Sequence, residues 1–313
     1  MILSDRAQAT RPFYVMELLA RAALREKTHG PSVSMVVGEP DFPAPPAVVK
    51  AAEQALHAGK IHYTHALGTP ELRAAIADDY LRRDGLQIDP ESIAVTAGAS
   101  GGLLLAMAVL VRELGGVLIV DEIYQRLVFD HQPKSLLSLG NDIISINSFS
   151  KTFSMTGWRL GWVVAPSLWM APLERLSQNL FISPSSLAQM SALAAFTPAS
   201  LAVAEDYRHR FREQANFLIP RLCDLGFRLP AQPQGAFYGY FDVSALTTDS
   251  YQFCLDLCDQ AGVLMAPGRD FGDHQAERYV RVSYTKPLDV LADGVDRISR
   301  WLDTRSQASR PTS

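Results

Sequence analysis

Three short apolar runs constrain this chain more than any other feature. "SIAVTAGASGG" (92–102) passes straight into a small-residue turn, "GGVLIVDEIY" (115–124) ends in carboxylates, and "DIISINSFSK" (142–151) ends in serines and a lysine. The runs are apolar throughout instead of alternating, and helical patterns separate them. "GLLLAMAVLVREL" follows the first as a buried helix. Continuous apolar strands alternating with helices predict a mostly parallel sheet with helices on both faces, an α/β fold. In such sheets ligands bind beyond the C-terminal ends of the strands. Thr96–Gly102, Asp121–Tyr124 and Ser148–Lys151 all fall there, so three strands aim their chemistry at one crevice.

The rest of the 313 residues frames that sheet. Helices are expected over 12–29, 46–58 and 70–83, the last with Thr69 as N-cap and Pro70 in its first turn. The proline-rich "VVGEPDFPAPP" marks a domain boundary, and from about residue 200 the pattern changes to a smaller α+β unit with a helix at 250–261 and the alternating strand "RYVRVSY". The expected division is a large domain over 46–199 and a small domain made of 1–45, including an N-terminal arm, with 200–313. The tail "DTRSQASRPTS" is polar and expected to fray. Hydrophobic residues make up 48% of the chain and charged residues 20%, as in soluble globular proteins. The net charge of −4 leaves no footprint for nucleic acid or an anionic membrane. No run approaches the ~18 apolar residues of a membrane span, and the N-terminus has no apolar signal core, so a cytoplasmic location is expected. Three cysteines, Cys223, Cys254 and Cys258, are too few for a disulfide framework and too isolated from histidines for a zinc site. Cys254 and Cys258, four apart, are expected to pack in the core.

The chemistry collects at the strand ends. A carboxylate closing an apolar run, Asp121, is costly to bury without a partner, and Tyr124 follows three residues later. Alone, Asp121 reads as a cap or ion pair. Lys151 lies near Arg159, and like charge with desolvation favours its neutral, nucleophilic amine. Against the commoner solvated lysine stand the flanking Ser148 and Ser150, the turn at Gly157, and Arg159 between Trp158 and Trp162, which are expected to cage it. "GASGG" opens a helix whose N-terminal amides suit a phosphate, with Ser100 adding a hydroxyl. A neutralisable lysine, a carboxylate, a phenol and a phosphate cradle together fit pyridoxal phosphate.

With these residues in view, the chain resembles the class I/II, fold type I, pyridoxal-phosphate aminotransferases. The motifs are "VGEPDF" (37–42), "HYTHALGTPELR" (62–73), "VTAGAS" (95–100), "VDEIY" (120–124), "SFSKTFSMTGWRLGW" (148–162) and "RVSY" (281–284), in family order and spanning nearly the whole chain. The resemblance implies a transaminase moving an amino group between an α-amino acid and a 2-oxo acid in amino-acid metabolism. It implies that Lys151 is the Schiff-base lysine and proton shuttle, that Asp121 pairs with the pyridine nitrogen, and that Tyr124 pairs with the ring oxygen. Ala99, Ser100, Ser148 and Arg159 then bind phosphate. Arg281 grips the substrate α-carboxylate, with the Gly38 backbone beside it, although by strand pattern alone Arg281 reads as part of a solvated face. Tyr63 resembles the tyrosine that reaches the phosphate of a neighbouring subunit, implying a homodimer with shared active sites.

One segment departs from the family. A long stretch normally separates the "GAS" helix from the "VDE" strand, supplying sheet strands, an aromatic that stacks on the cofactor ring and the asparagine of an Asn-Pro-x-Gly turn. Here "GGLLLAMAVL" resembles its start and "VRELGGVLIVDE" its end, so several dozen residues are missing near Leu110. The expected consequences are exposed apolar faces or new sheet edges, weak cofactor binding and impaired activity. That leaves a second reading, a non-catalytic relic that dimerises or binds ligand. A third takes "GASGG" as a Gly-x-Ser-x-Gly nucleophile elbow. Ser100 is then a hydrolase nucleophile, with Asp121 or Asp130 and His131 or His274 completing a triad; it leaves Lys151, Arg159 and Arg281 unexplained.

Overall fold

In the computed structural model, which describes residue 10, residues 12–110 and residues 118–308, proline and glycine punctuation sets the first helices. Helix α1 (Tyr14–His29) stops at Gly30, whose φ is 77°, and the two-residue strand β1 (Val33–Ser34) follows. Helices α2 (Pro46–His57) and α3 (Pro70–Asp84) each begin with a proline, where a missing N–H costs nothing. Thr69 caps α3 by accepting from the Leu72 N–H at 3.4 Å, and Gly85 ends it in the left-handed conformation. The right-hand flank of the shortened segment, at 111–117, the first residues of the N-terminal arm and the end of the polar tail lie outside the described residues.

The chain divides into two units, Glu39–Arg210 with Gln234–Ala236, and the flanking Met1–Gly38, Phe211–Pro233 and Phe237–Ser313. The first holds strand β2 (Ile93–Thr96), helix α4 (Gly98–Leu110), strands β3 (Ile119–Asp121), β4 (Ile144–Ser148) and β5 (Gly161–Val164), and helices α5 (Ser167–Leu180) and α6 (Ser186–Ala192). Its sheet runs β2-β5-β4-β3. β3 and β4 are parallel, while β5 is antiparallel to both β2 and β4. The three apolar runs therefore point the same way, with the reversed β5 inserted among them. β2 and β3 stand at opposite edges, so the connection through α4 crosses the whole sheet. Three strand spacings are roughly 14 Å, and the 13-residue α4 spans about 20 Å.

The period of two sorts the side chains into two cores. Ile93, Val95, Trp162 and Val164 pack on one face with Val48 of α2, Leu72, Ile76 and Tyr80 of α3, and Phe149, Phe153 and Phe196. Ala94, Ile144, Ile146 and Val163 pack on the other with Leu105 and Ala106 of α4 and Met170 and Leu173 of α5. Both faces are covered, as the continuous apolar runs require. β3 is the exception: its residues are half-buried or exposed, and Leu118, which precedes it, is 50% exposed. Among the described residues it is the sheet edge expected from the short connection.

Helix α7 (Pro198–Asp224) contributes residues to both units. In the second unit, strand β6 (Tyr238–Asp242), helix α8 (Ser250–Asp256), strands β7 (Val263–Leu264), β8 (Ala266–Pro267) and β9 (Tyr279–Ser283), and helix α9 (Leu288–Ala308) follow. β9 lies between β6 and β8, antiparallel to both, and β1 pairs in parallel with β7. Cys254 and Cys258 are buried, as expected, while Cys223 is exposed on the last turns of α7. Among the described residues no group of side chains is arranged to hold a metal, and no single helix is long and apolar enough to cross a membrane.

Asp242 closes this small sheet. Burial opposes its ionisation, but hydrogen bonds from Ser244 and the guanidinium groups of Arg228 and Arg278 outweigh it and hold the carboxyl well below its usual range. A depressed folded-state value means stabilisation that is full above the unfolded value of about 3.9 and lost as pH falls below it. Asp242→Asn is expected to lower Tm at neutral pH. It is also expected to flatten the fall of Tm between about pH 4 and pH 2, measured by scanning calorimetry against the wild type.

Candidate functional site

Strand register sets Thr96, Gly161 and Ser148 in one row across β2, β5 and β4, at the C-terminal ends of the two parallel strands. The middle of that row has no room for a side chain. A Cβ on Gly161 would lie 2.7 Å from the Asn147 carbonyl oxygen and 2.8 Å from the Ala99 nitrogen. The first turn of α4 thus rests directly on the β5 backbone. Thr96 Oγ1 donates to the Gly98 carbonyl at 2.8 Å, fixing the strand-to-helix turn, and Gly98 takes a φ of 73°. Arg159 is itself left-handed, with a φ of 51°, a conformation costing about 1–3 kcal/mol for a residue with a Cβ. That backbone turns its guanidinium over Gly98: Nη2 is 2.7 Å from where a Gly98 Cβ would stand, and Nη1 donates to the Thr156 carbonyl at 3.0 Å. N-terminal amides of α4, the exposed Ser100 and this guanidinium form one anion cradle.

Lys151 lies in the connection from β4 to β5, half-buried. The fully buried Phe149 and Phe153 anchor that connection in the aromatic cluster with Trp162 and Phe196. Ser148 is 1% exposed; its Oγ accepts from the Ser150 N–H at 3.1 Å, donates to the Leu160 carbonyl at 3.0 Å and lies 2.9 Å from Ser150 Oγ. Its hydroxyl is thus committed to holding the lysine connection onto β5. The tryptophan cage expected around Arg159 is not formed. Trp162 points into the core and donates to the Tyr80 hydroxyl at 3.3 Å, and Trp158 packs against the same core, while the left-handed Arg159 between them is exposed.

Asp121 pairs with Ile146 across β3 and β4. The burial expected for it is corrected: it is exposed, because β3 is an edge strand, and its Oδ1 accepts from the Ile123 N–H at 3.0 Å. Tyr124, half-buried, opens the turn Gln125–Leu127. Tyr63 is 80% exposed, in a loop pinned underneath. The buried Gln189 accepts from the Thr69 N–H at 2.7 Å and donates to Thr64 Oγ1 at 2.9 Å, while Val95 N–H donates to the Leu67 carbonyl at 3.0 Å. Asp130 and His131 line a cleft of about 330 Å³ with Thr152, Glu205 and Arg208, and Ser100 is not among its walls.

The second unit brings Gly38 and Arg281 together. A Gly38 Cβ would stand 2.6 Å from the Tyr238 hydroxyl and 3.6 Å from Arg281 Nη2. Arg281 is clamped between two rings, its Cζ 4.5 Å from the centroids of both Tyr238 and Phe271, and Nη2 donates to the Val36 carbonyl at 3.1 Å. Among the described residues its buried Nε has no hydrogen-bond partner, a donor suited to a carboxylate. Sequence reasoning missed Tyr238, Phe271, Gln189 and Glu122. The aromatic run "AFYGY" was a usable signal for Tyr238; Gln189 and Glu122 become visible only through their long-range partners.

The sequence profile of the aminotransferases of class I and II matches residues 31–113 and 104–298. The chain belongs to this family. It is 32% identical to a valine–pyruvate aminotransferase of Mycobacterium tuberculosis, over 94% of this chain and 97% of that one, and 26% identical to an aspartate aminotransferase of Pyrococcus horikoshii, over 96% and 97%. Among solved structures it resembles an aminotransferase from Mycobacterium tuberculosis (TM-score 0.90, 31% identity, 97% of this chain and 100% of that one). It also resembles an aspartate aminotransferase variant of Thermus thermophilus (TM-score 0.87, 26% identity, 96% and 99%). The alignment with the first relative extends over 376 residues, more than the 313 of this aminotransferase, and the profile match breaks in two at 104–113. That break begins within the second half of α4. Membership sets the hydrolase reading of Ser100 aside and makes this a pyridoxal-phosphate enzyme of transamination between an α-amino acid and a 2-oxo acid.

The residues present fit that cofactor. The space that a Gly98 Cβ would fill is bounded by Arg159 and opens on the α4 amides, a cradle for a phosphate. Gly98→Ala puts a methyl group into that space at a φ of 73°. It is expected to weaken pyridoxal phosphate binding by about tenfold or more, roughly 1.4 kcal/mol, measured by titration of the apoprotein, with Gly101→Ala as a nearby control.

Proposed function

We propose that this aminotransferase works as a cytoplasmic homodimer in amino-acid metabolism and that its strand-end residues divide the labour as follows. The observation that carries the reading is the Gly98–Arg159 cradle at the end of the connection that holds Lys151. Bound pyridoxal phosphate supplies an aldehyde that takes up the amino group and a ring that draws electrons from the α-carbon. Arg159 and the amides of Ala99 and Ser100 hold its phosphate, while Ser148 holds the Lys151 connection in place and reaches the phosphate only by releasing the Leu160 carbonyl. Lys151 Nζ forms the covalent attachment and moves the proton at the substrate α-carbon. Asp121 holds a proton on the ring nitrogen, and the Tyr124 phenol hydrogen-bonds the ring oxygen. Arg281 and the Gly38 backbone receive the substrate carboxylate. The exposed Tyr63, on its pinned loop, supports the shared site of a homodimer.

The exposure of Asp121 on an edge strand supports a second reading, a relative that binds ligand or dimerises without turnover. One experiment separates the two. Wild-type protein loaded with pyridoxal phosphate is expected to show a visible absorption band, borohydride is expected to fix the cofactor on Lys151, and Lys151→Ala is expected to lose both. An amino acid that bleaches the band, with a 2-oxo acid restoring it, establishes transamination. A band that no amino acid changes establishes binding without turnover.

A further inference from the structure

β3 ends in Asp121, and the next residue, Glu122, carries a second carboxylate that faces the opposite way. Side chains alternate along a strand, so Asp121 opens to solvent while Glu122 turns into the protein and is 7% exposed. Every oxygen of Glu122 is engaged: Oε1 accepts from the Leu136 N–H at 2.8 Å, and Oε2 accepts from the hydroxyls of Ser135 at 2.8 Å and Ser145 at 2.7 Å. Both serines are fully buried. Ser145 belongs to β4, and Ser135 caps the turn Leu136–Leu139, so one carboxylate ties β3, β4 and that turn together. The Glu122 N–H adds a bond to the Ile146 carbonyl at 2.8 Å.

Buried charges are rare and expensive unless fully hydrogen-bonded. Here the expense falls at the one strand that needs an anchor. β3 has three residues, and among the described residues a strand neighbour on one side only. Asp121 is exposed, and its Oδ1 accepts only the local Ile123 N–H among the described residues. We propose that Glu122 is the positioning residue for Asp121: clamped from behind, it sets the direction of the carboxylate offered to the cofactor's ring nitrogen. The inference rests on the cofactor reading given under Proposed function.

The test is a double-mutant cycle on the full-length apoprotein, titrated with pyridoxal phosphate. Glu122→Gln keeps the shape but sets an amide N–H against donors, and it is expected to weaken binding by about tenfold. The same substitution in an Asp121→Asn background is expected to add little, and the pH midpoint of the visible band is expected to move in both single variants alike. Ser135→Ala with Ser145→Ala removes two of the clamping bonds and keeps the charge; it replaces Glu122→Gln in the cycle if that variant does not fold. Independent, additive losses overturn the proposal, as does a lower apoprotein Tm with unchanged affinity and midpoint. Failure of the wild type to bind pyridoxal phosphate overturns the cofactor reading and this inference with it.

Discussion

The missing side chain at Gly161 is the constraint on which the cofactor half depends. Because backbone atoms of Asn147, Gly98 and Ala99 crowd the place of its Cβ, helix α4 lies against the sheet at the row Thr96–Gly161–Ser148. That contact brings a helix N-terminus, with its unsatisfied amides, to the connection carrying Arg159 and Lys151. The left-handed Arg159 backbone is a local cost borne at the same place. Remove the close approach, and the cradle, the arginine and the lysine no longer share a frame.

The shortened connection alters the other end of that frame. In the described sheet β2 and β3 are the two edges, and the break in the family match at 104–113 falls between them in sequence. The row at Gly161 is covered on both faces and dense with hydrogen bonds. The row at Asp121 is open. The protein therefore pairs a well-packed row at Gly161 with a row at Asp121 that has a strand neighbour on one side, and the buried Glu122 network ties that second row to β4.

Local signals were read correctly where the physics was local. Thr69 and Pro70 announced α3, and Gly30 ended α1, because caps and breakers act within a turn. The three apolar runs announced three strands with one direction and both faces covered. The reversal of β5 was not legible: four apolar residues buried on both faces carry no mark of direction. The exposure of Asp121 was not legible either, since burial at a strand end depends on which strand lies next to it, a non-local fact. The tryptophans misled because their sequence proximity to Arg159 said nothing of face; Trp162 sits three residues on but points to Tyr80.

The antiparallel β4–β5 pair has a further consequence for how the chain assembles. Its partners are close in sequence, Ser148 opposite Gly161, whereas β2 and β3 join from far away on either side. Closing a short connection costs less conformational entropy than closing a long one, so contacts of low sequence separation form fastest. The connection that closes at the lowest entropic cost is the one bearing Lys151, so that lysine is placed by the most local pairing in the sheet, whose partners both lie beyond the shortened segment.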